Sequence, residues 1–162
     1  PELVQTIIKS VKKESKVPVI AKVGLGSSDY LKTVNAACES GIDGITAINT
    51  LRAMAIDVET GRPILSHKIG GLSGSPIKPV AVRCVYEISS KFDIPIIGCG
   101  GISRWEDAVE FLLAGASAVQ IGSAVGEKWT GIFSEINNGI FKYMERKNYA
   151  KIKEMVGIAK KF

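Results

Sequence analysis

Cysteine is scarce in this chain, and its placement cannot build a centre. Cys38, Cys84 and Cys99 are odd in number and widely separated, with no C-x-x-C pair. Neither a zinc site nor an iron–sulfur cluster can be assembled from these residues alone. Sparse, unpaired cysteine fits a reduced compartment, and a cytoplasmic protein is expected. Histidine is scarcer still. His67 is the single one, with no carboxylate partner or metal-ligand spacing around it, so it reads as structural or exposed. No apolar run is long enough to cross a bilayer and no secretory signal is present, so no membrane partner is expected. Aromatic residues make up 7% of the chain and never interleave with basic ones as in an RNA-binding motif. An initiator methionine is also missing. Pro1 leads straight into an amphipathic helical pattern, which reads as an internal segment of a longer chain.

What is present is core material and glycine. Hydrophobic residues are 46% of 162 positions, enough for one domain with a sizeable core. Net charge is +5, with a sequence pI near 9.1. Basic residues are densest towards the end, at Lys142, Arg146, Lys147, Lys151, Lys153, Lys160 and Lys161. Glutamates interleave with them, so the segment reads as a solvated helix face and no nucleic acid partner is expected.

Apolar periodicity predicts a helix over 3–14, with Val4, Ile7, Ile8 and Val11 on one face. Buried strands are predicted near 18–24, 43–49, 94–98 and 118–122. Helices are predicted over 29–40, 76–91 and 104–113, a hairpin over 56–65, and a glycine loop over 69–74. Closing helices are expected over 131–146 and 149–160, within 131–160. Strands of near-continuous apolar residues alternating with helices mean a parallel sheet covered by helices. The glycine turns do not follow the G-x-G-x-x-G spacing of an open dinucleotide-binding sheet. The pattern fits an α/β fold, the C-terminal half of a (β/α)8 TIM barrel spanning 1–162. Four barrel strands alone would leave two raw edges. An N-terminal barrel half is therefore expected as a partner, in the same or another chain.

Chemistry in such barrels sits at the C-terminal ends of the strands. Those ends carry Lys22, then Asn49 and Thr50, then Gly98-Cys99-Gly100-Gly101, then Gly122 and Ser123, with Gly70-Gly71-Leu72-Ser73-Gly74 on the same side. Gly74, Gly100, Gly101, Gly122 and Ser123 suit a phosphate grip, because glycine lets backbone amides approach an anion closely. Helix N-termini at Pro76 and Arg104 would add dipole attraction. Lys22 reads either as a fixed cation beside an electron-accepting ring or as a lysine reaching for solvent. Asn49 and Thr50 offer an amide and a hydroxyl to a planar polar ligand, or simply make a turn. Cys99 lacks a neighbouring base and reads as a packing residue.

Several segments together resemble a known family. These are Pro18-Val19-Ile20-Ala21-Lys22, Ile48-Asn49-Thr50-Leu51, Met54-Ala55-Ile56-Asp57, Gly70-Gly71-Leu72-Ser73-Gly74, Ile77-Lys78-Pro79, Ile96-Ile97-Gly98-Cys99-Gly100-Gly101-Ile102 and Gly115-Ala116-Ser117-Ala118-Val119. In this order and spacing they resemble the C-terminal half of dihydroorotate dehydrogenase, in the soluble class that works with an electron-transfer partner. The resemblance implies FMN, held by Lys22, Ile48, Gly74, Gly100, Gly101, Gly122 and Ser123. It implies that Asn49 and Thr50 bind dihydroorotate or orotate, and that Lys22 stabilises negative charge on the reduced flavin. It implies FMN-dependent oxidation of dihydroorotate in pyrimidine biosynthesis, by a homo- or hetero-oligomer whose partner subunit carries FAD and an iron–sulfur cluster. The catalytic base of that family has no counterpart in this chain, which should be inactive without the missing half. Two other readings stay open: a related FMN barrel acting on another pyrimidine, and a non-catalytic phosphate-binding half-barrel.

Overall fold

A computed structural model describes residues 2–26 and 29–162. Helix α1 (Glu2–Glu14) leads into strand β1 (Ile20–Val23), helix α2 (Tyr30–Glu39) and strand β2 (Gly44–Ala47). An excursion follows, made of β3 (Leu51–Ala53), β4 (Ile56–Asp57), β5 (Arg62–Pro63) and β6 (Gly70–Leu72). The main alternation resumes with α3 (Lys78–Lys91), β7 (Ile96–Cys99), α4 (Trp105–Ala114) and β8 (Ala118–Gln120). The short α5 (Ser123–Lys128) and the long α6 (Gly131–Lys147) complete the helices.

Among the described residues, four strands form a parallel sheet in the order β1-β2-β7-β8. Strands adjacent in this sheet are therefore successive in the alternation, the order of a (β/α)8 barrel and not of a doubly wound sheet. The fold is α/β, half of such a barrel. Register places Ile20 beside Gly44 and Lys22 beside Thr46. Thr46 is beside Ile97, and Cys99 is beside Gln120. By the period-two rule these residues share one face, the concave one. Ile45, Ala47, Ile96 and Gly98 take the other face, towards the helices.

That convex face holds the core. Ile45, Ile96, Val85, Ile88 and Phe111 are buried between sheet and helices. A Cβ on Gly98 would run into the Phe111 ring. The absence of a side chain there lets α4 lie close on the sheet. Burying a phenylalanine to this degree stabilises a fold by roughly 1.5–3 kcal/mol.

Both ends of the sheet lack partners among the described residues. β1 and β8 each present an unpaired edge. Ile20, Lys22, Ala118 and Gln120 are exposed on the concave face. The flanking helices carry unpartnered apolar residues as well: Leu3, Ile7 and Val11 on α1, and Phe133 and Phe141 on α6.

Several expected elements need correction. The glycine loop over 69–74 is partly a strand, because Gly70–Leu72 pairs antiparallel with Leu51–Ala53. A sequence cannot display that pairing, since β3 and β6 lie far apart in the chain. The hairpin expected over 56–65 forms as β4 and β5. The second closing helix, expected over 149–160, does not form. Two 3-10 turns, Ile152–Glu154 and Ile158–Lys161, stand in its place. Gly157 separates them at φ 73, its N–H bonded to the Leu112 carbonyl at 3.0 Å. Burial of Met155 drives this bend more strongly than helical periodicity resists it. Conversely, α5 was not expected: six residues with an internal Gly126 show no helical period.

Candidate functional site

Each barrel strand delivers a different piece of backbone to the same end of the sheet. β1 contributes Lys22, and the chain beyond β2 contributes Ile48 and Thr50. The turn before α3 brings Ser73, Gly74 and Ser75, the turn after β7 brings Cys99 to Ser103, and the start of α5 brings Gly122 and Ser123. Together they line one cavity of about 240 Å³. The sheet itself continues into this wall. Ile48 N–H donates to the Cys99 carbonyl at 2.7 Å, and Asn49 N–H donates to the Val23 carbonyl at 2.8 Å. The Ala47–Ile48 peptide bond is cis.

Of the expected site residues, Lys22, Ile48, Thr50, Gly74, Gly100, Gly101, Gly122 and Ser123 all line this cavity. Asn49 does not. Its side chain lines an adjoining groove with Gly24, Leu25, Gly26 and Thr33. Thr50 borders both spaces and joins them. Cys99, read from sequence as a packing residue, lies on the concave face and lines the cavity wall.

The walls are made by tight backbone contact. Gly101 has φ +76, and a Cβ there would stand 2.8 Å from the Gly74 carbonyl oxygen and 2.9 Å from Lys78 N. The turn after β7 thus rests directly on the turn before α3. A third turn is tied in by the Ser123 hydroxyl, which donates to Ser73 Oγ at 3.0 Å. Gly122 differs from Gly101: a Cβ there would meet nothing within 4 Å. Its glycine keeps space open instead of allowing close contact.

The expected dipole contribution from the helix at Arg104 needs correction. The start of α4 is closed by its own carboxylate. Asp107 accepts from Ser103 N at 3.0 Å, Ser103 Oγ at 3.1 Å and Arg104 N at 3.1 Å. Those amides do not point at a ligand. Burial raises the Asp107 pKa, but hydrogen bonds from Lys78 and the Ser103 backbone outweigh it and hold the carboxyl below its usual range. Nor does Pro76 open a helix directly: it lies in the 3-10 turn Ser75–Ile77, and α3 starts at Lys78. The helix that starts at the cavity wall is α5: its Ser123 and Ala124 amides have no intrahelical acceptor, while Val125 N–H bonds to the Gly122 carbonyl at 2.9 Å.

Charge in the lining is balanced and sparse. Lys22 and Glu127 are the charged side chains that line the cavity. Lys22 enters none of the ion pairs found among the described residues. Apart from Lys22, the groups in this lining that could meet an anion are backbone amides and hydroxyls. Glu127 was missed by sequence reasoning because it belongs to α5. Ser73 and Ser103 were missed too, although each directly flanks a glycine turn that was singled out. Among the described residues no group of His, Cys, Asp and Glu is arranged to hold a metal ion. No helix among them is long and apolar enough to cross a membrane.

A half-barrel whose parallel strands follow one another in chain order, with its cavity at their C-terminal ends, belongs to the class of (β/α)8 barrel proteins. Comparison with known proteins sharpens that class. The family model for dihydroorotate dehydrogenase matches residues 1–144. The chain belongs to the dihydroorotate dehydrogenase family. It is 55% identical over 161 residues to a protein of Pyrococcus furiosus, covering 99% of this chain and 54% of that relative. It is 52% identical over 159 residues to one of Methanocella arvoryzae, covering 98% and 52%. A third, from Methanocaldococcus jannaschii, is 43% identical over 159 residues, covering 98% and 52%. Each of these is a dihydroorotate dehydrogenase B (NAD(+)), catalytic subunit. The chain spans about half the length of the curated relatives it matches.

Proposed function

We propose that the whole protein oxidises dihydroorotate to orotate in pyrimidine biosynthesis, with FMN held at the cavity described above. The observation that carries this reading is the gathering of three glycine-bearing turns and Lys22 into one cavity. The residues suit the group. Gly122 opens space, the Ser123 and Ala124 amides at the start of α5 lack intrahelical acceptors, and Gly101 brings two turns into contact. Ligand pockets usually have about 300–1,000 Å³. A cavity of about 240 Å³ is smaller, so this chain supplies part of the walls and a companion barrel half the rest.

FMN, when bound, supplies the two-electron acceptor for the hydride that leaves one carbon of the substrate ring. The residues of this chain provide position and charge. Gly74, Gly100, Gly101, Gly122 and Ser123 bind the phosphate end through backbone amides. Lys22 keeps a positive charge at the mouth, where negative charge grows during reduction. Ile48 packs beside the ring. Thr50, and Asn49 from the adjoining groove, bind and orient the dihydroorotate ring. Glu127 suits a hydroxyl donor better than the phosphate itself. The proton from the neighbouring ring carbon goes to a base carried by the companion half, which also covers the unpaired edges of β1 and β8. The relatives' designation as catalytic subunits supports a second, electron-transfer subunit, for which FAD and an iron–sulfur cluster remain the expectation.

The test is anaerobic addition of dihydroorotate to the full-length protein. Bleaching of a bound flavin is expected. A correctly assembled but colourless barrel would instead favour a non-catalytic phosphate-binding protein. Bleaching by NADPH with a requirement for a uracil-type ring would move the activity to another pyrimidine.

A further inference from the structure

Two turns of the cavity wall are joined by a side-chain bridge that does not itself line the cavity. Asp107, on the first turn of α4, is 3% exposed. Its Oδ2 accepts three hydrogen bonds from its own turn, at Ser103 N, Ser103 Oγ and Arg104 N. Its Oδ1 accepts from Lys78 Nζ at 2.9 Å. Lys78 opens α3, four residues after Gly74 and directly beyond the other turn, and its ammonium also donates to Glu110 at 2.6 Å. One oxygen is therefore anchored to the turn that carries Gly100, Gly101 and Ser103, while the other reaches across to the turn that carries Gly74 and Ser75. The bridge spans the same seam where Gly101 rests on Gly74 and Lys78.

We propose that Lys78 and Asp107 are positioning residues that set the spacing of these two turns and so govern affinity for a phosphate-bearing ligand at the cavity. The inference rests on the FMN reading given above. Backbone amides hold a phosphate only when their placement is preorganised to within about half an ångström. Hydrogen bonds weaken steeply as alignment is lost. Among the described residues the Lys78–Asp107 pair is the charged contact that reaches the Ser103 end of the Gly101 turn from α3, whereas Lys78–Glu110 lies farther along α4.

The experiment compares FMN with riboflavin, which lacks the phosphate, as ligands of the deflavinated full-length protein. Fluorescence titration reads both dissociation constants. Lys78→Met leaves all three bonds of Asp107 to its own turn, so the α4 start stays capped. Asp107→Asn keeps an oxygen for those amides and removes the charge. Each variant is expected to weaken FMN about tenfold or more, about 1.4 kcal/mol, while riboflavin affinity stays within about twofold. Lys78→Arg should recover most of the preference for FMN, and Glu110→Gln, which removes only the outer partner, should keep all of it. Equal weakening of both ligands would reduce the pair to a general folding role and overturn the proposal. So would a wild-type preference for FMN in either soluble variant. A wild-type protein with no preference for FMN over riboflavin would refute the cofactor reading itself, a separate failure.

Discussion

Replacing Gly101 by alanine adds one carbon at the tightest seam of the cavity wall. The backbone there has φ +76, a left-handed conformation that costs a residue with a Cβ roughly 1–2 kcal/mol. The new carbon would also stand 2.8 Å from the Gly74 carbonyl oxygen, 2.8 Å from Lys78 Cβ and 2.9 Å from Lys78 N. Two of those neighbours are backbone atoms and the third is a first side-chain carbon, so none can rotate away. Overpacking of this kind costs about 1–3 kcal/mol. The sum is about 2–5 kcal/mol, a large share of the 5–15 kcal/mol that typically separates folded from unfolded domains. If the turns separate to relieve the clash, part of that cost reappears as lost FMN affinity. Thermal unfolding of the full-length protein and flavin titration read the two components. Gly126→Ala is the control: a Cβ there meets nothing within 4 Å, and a glycine inside α5 gains up to about 1 kcal/mol of helix propensity on substitution. A Gly101→Ala protein that melts with the wild type and binds FMN equally well would refute the argument that these turns are in hard contact.

Other perturbations separate charge from shape. Gly122→Asp adds a Cβ that meets nothing within 4 Å, at a negative φ of −116. It should keep the fold by circular dichroism yet lose FMN by at least a hundredfold, because a carboxylate about 4 Å from a phosphate costs roughly 4 kcal/mol at an effective dielectric constant near 20. Lys22→Ala should retain flavin and slow its reduction by dihydroorotate about tenfold or more, about 1.4 kcal/mol; unchanged rapid-mixing kinetics would remove Lys22 from the chemistry. Asp107 has a depressed pKa, so its contribution is present above the unfolded carboxylate value and is lost as pH falls through the folded one. Wild-type stability should therefore fall more steeply below about pH 4 than that of Asp107→Asn, as urea titrations at several pH values would reveal.

Much of the barrel pattern is legible in the amino-acid sequence alone. Glycine turns, apolar strands and amphipathic helices recur with a regular spacing that local physics imposes. Helices α1, α2, α3, α4 and α6 lie within a few residues of their expected places. Apart from α5, which is too short to show a period, the failures share one cause, which is contact between distant segments. β6 exists because Gly70–Leu72 meets Leu51–Ala53. The tail bends because Met155 must be buried and Gly157 N–H reaches the Leu112 carbonyl. The α4 terminus looked ready for an anion, and Asp107 is only three residues from Arg104. The reach of Lys78 into that corner from α3 is invisible in a linear string.

The sequence by itself determined which residues carry useful chemistry: glycines where backbone must approach closely, a lysine in an apolar strand, an amide and a hydroxyl just beyond a strand end. Those are properties of side chains and of φ, and they are local. Only the tertiary structure decided which of them share a wall. It placed Lys22, Thr50 and the glycine turns around one cavity and set Asn49 in the adjoining groove. It also tied the Ser103 and Arg104 amides, just ahead of α4, to Asp107, and brought the start of α5 to the cavity wall. The physical reason is that a parallel sheet brings successive strand ends side by side, whereas the direction of each amide depends on packing between turns that the chain order does not encode.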